Sequence, residues 1–314
     1  MRLSFSRPFL VPYASLRLAA IAQSQSPLSS GLRSRPGRPM SSSSYTPPSV
    51  LKTAVKLSCV QLAAGADKAA NLSRAAAEFF PEYAETLLPS PPTAEQSPSF
   101  HALASMAADN AVYLVGGSIP EREPETGRYY NTSLIFGPDG RLLDSCRKVH
   151  LFDIDIPGKI TFRESDVLSA GDRITLVDLP EYGKVAVAIC YDVRFPELAS
   201  IAARRGAFAF ICPGAFNLTT GELHWKLLAR ARAVDNQMYV AMCSPARDMS
   251  ATYNAWGHSM VVDPMANVLV EADETTTTIQ AEMDGAVITE ARRNIPLGAQ
   301  RRFDVYPDVS HGKV

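Results

Sequence analysis

Features that would place this 314-residue chain in several common functional classes are missing from its sequence. It has no long uninterrupted apolar run, so it offers no candidate membrane span. A formal net charge of −1 argues against a nucleic-acid partner. The five histidines and five cysteines are scattered, without the paired spacing of a zinc site or a disulfide framework. We therefore expect a soluble globular protein of a reducing compartment, with neither a metal nor another cofactor.

Acidic residues are also missing from the start of the chain, since the first is Asp67. Residues 1–50 instead carry six arginines, many serines and several prolines, a composition typical of a mitochondrial transit peptide. The alternative is a disordered tail without a targeting role. Met40 could serve as a second start and yield a cytosolic form. We predict that residues 1–50 are disordered and that the protein is located in the mitochondrial matrix, the cytoplasm or both.

From Val55 onward, strand-like and helix-like patterns alternate, and both crossovers and hairpins connect them. This mixture predicts an α/β protein with layers around mixed sheets. We expect one domain over residues 51–305, followed by a short tail at 306–314. Strands are predicted at 55–62, 111–119, 130–136, 142–146, 184–190, 208–212, 238–243, 259–263 and 268–272, helices at 67–80, 196–205 and 224–236, and a loop at 89–99.

Cys190 ends an apolar strand and precedes a polar turn, after which Pro196 is typical of the first residue of a helix. A thiol at this junction projects from the end of the sheet. Backbone N–H groups and the helix dipole can stabilise its thiolate form. The pattern therefore indicates a nucleophile. The alternative is a small buried apolar side chain, which is what most cysteines in apolar strands are.

Three further features accompany this thiol. Lys148 follows a predicted hairpin, and a lysine near a reacting carbonyl can hold the developing oxyanion and pass a proton to leaving ammonia. Glu164 follows a Pro-Gly turn and could position the substrate or relay a proton. Residues 213–225 follow a strand end, where α/β proteins tend to bind ligands. The ordinary alternatives are a solvated lysine, a surface carboxylate and a plain loop. Our candidate substrate-binding residues are Tyr191, Phe216, Asn217 and Thr219.

Three long strings, at residues 147–165, 189–195 and 213–221, resemble the nitrilase, or carbon–nitrogen hydrolase, superfamily. Within it they are most similar to the omega-amidase branch, and the likeness covers roughly residues 53–305. The resemblance implies an αββα four-layer sandwich and a homodimer. It also implies hydrolysis of the terminal amide of 2-oxoglutaramate or 2-oxosuccinamate, a small-molecule substrate, to a 2-oxo diacid and ammonia.

The resemblance assigns a role to each candidate catalytic residue. It makes Cys190 the nucleophile that forms a thioester, and Lys148 the group that holds the oxyanion together with the backbone N–H after Cys190. Glu164 matches an additional glutamate of the family's site. The family's general base is a glutamate in a Leu-Pro-Glu string that ends the second strand, and this string is absent here. Glu82 matches a later, non-catalytic Pro-Glu and is a doubtful substitute.

From this gap we predict that one core strand is missing after the first helix and that catalysis is impaired. The loss of one element while all later motifs stay intact suggests a skipped exon. Three other interpretations stay open. The chain could be a deaminated-glutathione amidase, or a catalytically dead binding or assembly protein. It could also be a Cys–His hydrolase with His150, His224 or His258 as base, although the glycines of a nucleophile elbow are absent.

Overall fold

A computed structural model describes residues 49–62, 84–87, 90–156, 160–251 and 253–305, together with the backbone of a strand at Leu16–Ala22. Of Ile156 and Ile160 only the backbone is described. Glu82, the predicted helix at 67–80, the tail at 306–314 and most of the first fifty residues lie outside these ranges. In the described part, no helix is long and apolar enough to cross a membrane.

Fifteen strands are found in the described residues. They are β1 (Leu16–Ala22), β2 (Val55–Gln61), β3 (Tyr113–Gly117), β4 (Ile119–Arg122), β5 (Tyr129–Phe136), β6 (Leu142–Arg147), β7 (Asp153–Ile156), β8 (Ile160–Arg163), β9 (Thr175–Leu179), β10 (Gly183–Val187), β11 (Ala207–Pro213), β12 (Tyr239–Cys243), β13 (Met260–Val262), β14 (Val268–Glu271) and β15 (Thr277–Met283).

Helices fill the connections. They are α1 (Pro98–Asn110), α2 (Pro196–Arg204), α3 (Leu218–Thr220), α4 (Lys226–Asn236), α5 (Gly285–Asn294) and α6 (Leu297–Gln300). A π-helical turn at Gly221–Trp225 joins α3 to α4, and 3₁₀ turns occur at Glu164–Asp166 and Cys190–Arg194. Proline near the N-terminus of α1 and of α2 fits a position where the missing N–H costs nothing.

The strands form two large sheets and one hairpin. The first sheet has the order β15-β2-β1-β3-β5-β4, with β6 also paired to β5. The second has the order β14-β13-β12-β11-β10-β9, and in it β10, β11 and β12 run parallel while the outer strands are antiparallel. β7 and β8 form a separate antiparallel pair. The predicted α/β class with mixed sheets is therefore confirmed.

Three apolar clusters define the packing. One lies between the sheets and joins Leu57 and Val115 of the first to Phe208 of the second. Another packs the outer face of the second sheet against α2 and α4, and the third packs α1 on the outer face of the first sheet. The clusters thus place α1, the first sheet, the second sheet and the α2–α4 pair in succession. Alternate side chains of each strand point towards the other sheet, and their packing excludes water from the space between the two sheets.

The strand at Leu16–Ala22 lies inside the segment for which we predict disorder. Its backbone pairs antiparallel with β2 on one side and β3 on the other, so it occupies the middle of the first sheet. The structure thus differs from the sequence-based expectation at these seven residues, because an apolar stretch of the N-terminal segment pairs with two strand edges of the core. The absence of a family strand after the first helix stays a prediction, since residues 63–83 are not described.

The other differences from the predicted elements are local. Helix α1 begins at Pro98, inside the predicted loop, and β15 and α5 were not predicted at all. The predicted strand at 111–119 is divided at Ser118, where Gly117 has a φ of +68° that bends the chain. The strand predicted to reach Cys190 ends at Val187.

A buried glutamine joins the end of β2 to the β13–β15 region. The Gln61 side chain donates from Nε2 to the carbonyl oxygens of Asp273 (2.8 Å) and Thr275 (2.6 Å). Its Oε1 accepts from the backbone N–H (3.0 Å) and the hydroxyl (2.8 Å) of Ser259. The amide is thus fully satisfied although Gln61 is completely buried.

We predict that Gln61→Leu lowers the free energy of unfolding by about 3 kcal/mol, because it leaves buried backbone partners without hydrogen bonds. The matched control is Gln280→Leu, an exposed glutamine on β15, which we expect to change stability by less than about 0.5 kcal/mol. Urea titration of both variants measures the difference. Equal stability of the two variants would show that the network contributes nothing.

Candidate active site

Cys190 opens a sharp turn directly after the second sheet's strand β10. The N–H of Ala188 still donates to Ile211 O of β11 (3.0 Å), and the 3₁₀ turn begins two residues later. Cys190 itself has a φ of +51°, in the left-handed region that non-glycine residues rarely adopt. Gly214 packs against it so closely that a Cβ there would come within 2.8 Å of Cys190 Cα. The turn is therefore as tight as a nucleophile elbow, although the glycines of that motif are absent.

The thiol of Cys190 is the most accessible in the protein. Its Sγ lies 3.6 Å from Ala215 O, and the residue is half-buried, whereas the other four cysteines are completely buried. Burial raises the pKa of the Cys146 thiol to about 12 and that of Cys212 well above its usual range. A hydrogen bond with Cys243, together with burial, raises the pKa of Cys59. The raised pKa values favour the protonated form of Cys59, Cys146 and Cys212, and all four thiols are shielded from solvent, as structural cysteines are.

Lys148 and Glu164 form a buried ion pair. Lys148 follows β6 directly and is only 2% exposed, and its Nζ lies 2.5 Å from Glu164 Oε2. The same oxygen accepts the N–H of Phe152 at 2.7 Å. The Lys148 backbone is held on both sides, by Asn131 O and by the Gly171 N–H, each at 2.8 Å. The solvated lysine and the surface carboxylate are thus excluded, because a buried charge requires a partner held in fixed geometry.

A buried carboxylate, Asp192, joins the lysine loop to the cysteine turn. It accepts the N–H of Ile189 at 2.9 Å, on one side of Cys190. It also accepts the N–H of His150 at 2.8 Å and contacts His150 Nδ1 at 2.8 Å, two residues after Lys148. Lys148 and Cys190 are consequently held in adjacent loops by one side chain. Sequence analysis missed Asp192, although a lone acid within an apolar string is a signal for such a role.

Arg194 brings a second cation to the site, and sequence analysis missed it as well. Its guanidinium lies 4.8 Å from the centre of the Phe216 ring and 5.6 Å from that of Tyr191. Burial lowers its pKa, while the neighbouring Tyr191 and Cys190 act in the opposite direction. Its polar contact among the described residues is His224 Nδ1, at 3.2 Å from Nη1. Arg194 is thus a half-buried cation beside the thiol with no carboxylate partner in the described part of the chain.

The four candidate substrate-binding residues divide into two groups. Tyr191 and Phe216 lie beside Arg194. Asn217 has a structural task, because its Oδ1 accepts the N–H of Thr220 (2.8 Å) and so caps α3. Thr219 is exposed and lines a separate surface pocket of about 450 Å³. The other residues that line this pocket are Leu218, Glu222, Leu223, Arg247 and Trp256.

The three histidines considered as alternative bases have other partners. His150 pairs with Asp192 and stacks on the Phe195 ring, with the ring centres 3.6 Å apart. His224 contacts Arg194, and His258 lies 3.7 Å from Glu271. None of these contacts reaches Cys190 Sγ. Among the residues that the structure describes, no group of three or more His, Cys, Asp or Glu side chains could hold a metal ion.

The described residues therefore combine a thiol on a sharp turn, a buried ammonium group and a half-buried guanidinium. The ammonium can stabilise negative charge that develops on a carbonyl oxygen. Both carboxylates near the turn are already engaged, Glu164 with Lys148 and Asp192 with backbone N–H groups. Glu82, the doubtful substitute base, lies outside the described residues. This arrangement suits acyl transfer to sulfur.

Comparison with known proteins agrees with this chemistry. The family model for carbon–nitrogen hydrolases matches residues 47–293. The omega-amidase NIT3 of Saccharomyces cerevisiae is 47% identical over an alignment of 289 residues, which covers 83% of this chain and 98% of that protein. Hydrolase C26A3.11 of Schizosaccharomyces pombe is 57% identical over 231 residues, covering 74% and 69% of the two chains.

A solved structure is similar as well. The crystal structure of Saccharomyces cerevisiae Nit3, a member of branch 10 of the nitrilase superfamily, superposes with a TM-score of 0.71 at 44% sequence identity. The match covers 81% of this chain and 98% of that one. The predicted nitrilase type of fold is therefore confirmed.

We predict that iodoacetamide at pH 8 labels one thiol of the folded protein, Cys190, because the other four are buried. Intact-mass spectrometry and peptide mapping measure the number and position of the adducts. The control variants are Cys190→Ala, which should remain unlabelled, and Cys212→Ala, which should still take one label. Labelling of several cysteines at similar rates in the native protein would contradict this picture of the site.

Proposed function

This chain belongs to the carbon–nitrogen hydrolase family and is a hydrolase of the amidase type, and from that premise we propose that it cleaves the terminal amide of a 2-oxo dicarboxylic acid monoamide. The substrates would be 2-oxoglutaramate and 2-oxosuccinamate, and the products a 2-oxo diacid and ammonia. The omega-amidases among its relatives support this substrate class. The observation that carries the proposal is the half-buried thiol of Cys190 on its sharp turn, in the loop next to the buried Lys148–Glu164 pair.

In the proposed first step, Cys190 Sγ attacks the carbonyl carbon of the amide and its proton passes to the amide nitrogen. The carbonyl oxygen becomes an oxyanion, which accepts hydrogen bonds from Lys148 Nζ and from the N–H of Tyr191. The carbon–nitrogen bond then breaks and ammonia leaves, so that the acyl group remains on sulfur as a thioester. In the second step water attacks the thioester, which releases the diacid and restores the thiol.

Both steps need a base, and this requirement underlies the proposed impairment. The base must take the thiol proton first and later a proton from water. Among the described residues, Glu164 and Asp192 are committed to the hydrogen bonds described above, and no glutamate there matches the one in the family's Leu-Pro-Glu string. Loss of general acid–base assistance costs on the order of 10²–10⁴-fold in rate.

We expect the chain to release ammonia from 2-oxoglutaramate about 10²–10⁴-fold more slowly than the yeast omega-amidase measured beside it. The slow reaction should disappear in Cys190→Ala, which serves as the background control. Turnover within about tenfold of the yeast enzyme would show that another carboxylate acts as the base. A folded protein with no release above the Cys190→Ala background would favour the catalytically dead interpretation.

Arg194 fits the carboxylate that distinguishes these substrates from simple amides. A half-buried guanidinium without a carboxylate partner in the described part of the chain is suited to a bidentate contact with a carboxylate. Its place beside Tyr191 and Phe216 would put the substrate's carboxylate at one end of the site and its amide near Cys190.

We predict that Arg194→Gln raises the KM for 2-oxoglutaramate by about 10-fold or more, since the lost charge-assisted hydrogen bonds contribute about 1.5–3 kcal/mol. The kinetics of an uncharged amide of similar length, measured beside it, should change by less than about twofold. The matched control is Arg230→Gln, an exposed arginine on α4 that donates to Ala266 O. Equal effects on the charged and the uncharged substrate would exclude this role for Arg194.

We also propose that the protein forms a homodimer. Leu223, in the π-helical turn before α4, and Leu227, in α4 itself, lie one helical turn apart and are 60% and 62% exposed. Val234, further along α4, is also partly exposed. An apolar helix face of this kind is typical of a surface that a second subunit covers.

A further inference from the structure

We infer that Leu16–Ala22 is a permanent part of the folded protein: it fills a strand-acceptor slot between β2 and β3 that no other described segment fills. A chain that lacks this segment, because it begins at Met40 or is cleaved beyond Ala22, would fold with the slot open. This inference concerns the architecture of the first sheet and does not depend on the proposed catalytic activity.

β1 pairs with a strand on each side, continuously with β2 and, on the β3 side, with a register shift between Leu16 and Ala19. Ala20 of β1 stands opposite Ser58 of β2 and opposite Leu114 of β3. Five consecutive residues, from Leu18 to Ala22, pair with β2. Because β1 has a neighbour on each edge, the backbone groups on both of its sides can enter ladders, as expected for a central strand.

Among the described residues, the two strands that flank the slot have no alternative partner at these edges. The opposite edge of β2 is occupied by β15 along seven residue pairs, and the opposite edge of β3 by β5. Without β1, the first sheet would consist of two separate pieces, β15-β2 and β3-β5-β4-β6. Each piece would present an unpaired edge in the middle of the molecule, where lost backbone hydrogen bonds are costly.

The slot also lies over the apolar core. Leu57 and Cys59 of β2 and Val115 of β3 are buried in the cluster between the sheets. The β1 backbone lies close to β11 and β12 of the second sheet. An empty slot would therefore expose the inner face of the second sheet to water as well as the two strand edges, and it would create a site that accepts any extended apolar segment.

The strand that fills the slot, β1, completes the sheet but contains no acidic residue. Residues 16–22 read Leu-Arg-Leu-Ala-Ala-Ile-Ala, and no acidic residue precedes Asp67. The strand that fills this position consequently brings no carboxylate to the end of the sheet. The first sheet can thus be complete without any base supplied by β1, which separates the stability of the fold from its catalytic competence.

Retention of the strand and use of the segment as a targeting signal exclude each other in the folded protein. An import receptor and a processing protease require an accessible, extended segment. A strand with neighbours on both sides is inaccessible until the sheet opens. Folding before import would therefore keep the protein in the cytoplasm with its N-terminus intact, and import before folding would produce a processed protein with an open slot.

The test compares four proteins: the full chain, a shortened chain that begins at Met40, Ala20→Pro and Ser29→Pro. Proline at position 20 removes an N–H from the middle of β1 and cannot fit a central strand, whereas position 29 lies outside the strand. We expect the truncation and Ala20→Pro each to lower the midpoint of thermal unfolding by about 10 °C or more relative to the full chain. Ser29→Pro should leave it unchanged.

Two further measurements test the inference even if a variant does not fold. They are hydrogen exchange in the full chain and the addition of a synthetic peptide to the shortened chain. In the full chain, the amides of residues 16–22 should exchange at least ~10²-fold more slowly than in a free peptide of the same sequence. A synthetic peptide of residues 14–24 should restore the thermal midpoint of the shortened chain, and its Ala20→Pro version should not. Exchange of residues 16–22 at the free-peptide rate, or an unchanged midpoint after truncation, would overturn the inference.

Discussion

The site depends on one buried carboxylate. Asp192 lies two residues after the nucleophile candidate and accepts hydrogen bonds from both sides of the site, from Ile189 in the cysteine turn and from His150 in the lysine loop. In the described contacts, Asp192 supplies the hydrogen bonds that join the loop after β6 to the turn after β10, and the ring contacts of His150 with Phe195 and of Phe152 with Tyr191 add to them. Its four oxygen lone-pair positions allow it to serve several N–H donors at once, which a hydroxyl or an amide could not do to the same extent. The positions of Cys190 and Lys148 relative to each other follow from this arrangement.

The fold and the chemistry place different demands on the first sheet. The stability of the sheet requires only an apolar strand that forms backbone hydrogen bonds with β2 and β3, and Leu16–Ala22 meets that demand. For amide hydrolysis in this family, the resemblance implies that the same region also supplies a glutamate. A segment without acidic residues can meet the first demand but cannot itself meet the second. A complete first sheet therefore does not imply that the active site at its edge is complete.

Much of the fold and part of the candidate site could be predicted from the sequence. The buried strands β10, β11 and β12 were visible as apolar runs, and the family resemblance located Lys148 and Glu164 although each looked like an ordinary charged residue. Asp192 and Arg194 were missed because their roles arise from a 3₁₀ turn that brings two loops together, which no periodic pattern records. Helix α5 was missed although its buried residues Ile288 and Ala291 stand three positions apart, at helical spacing. The strand at Leu16–Ala22 was missed because its composition matches that of a targeting segment.

The most direct test of the central claim, that Cys190 is the attacking group, is the intact mass of the protein after rapid mixing with 2-oxoglutaramate and acid quenching. The account predicts a single adduct equal in mass to the substrate less ammonia, located on the peptide that contains Cys190 and absent from Cys190→Ala. If the general base is missing, as we propose, slow deacylation should allow this thioester to accumulate. An adduct on another residue, or ammonia release without any adduct on Cys190 at any quench time, would contradict the account.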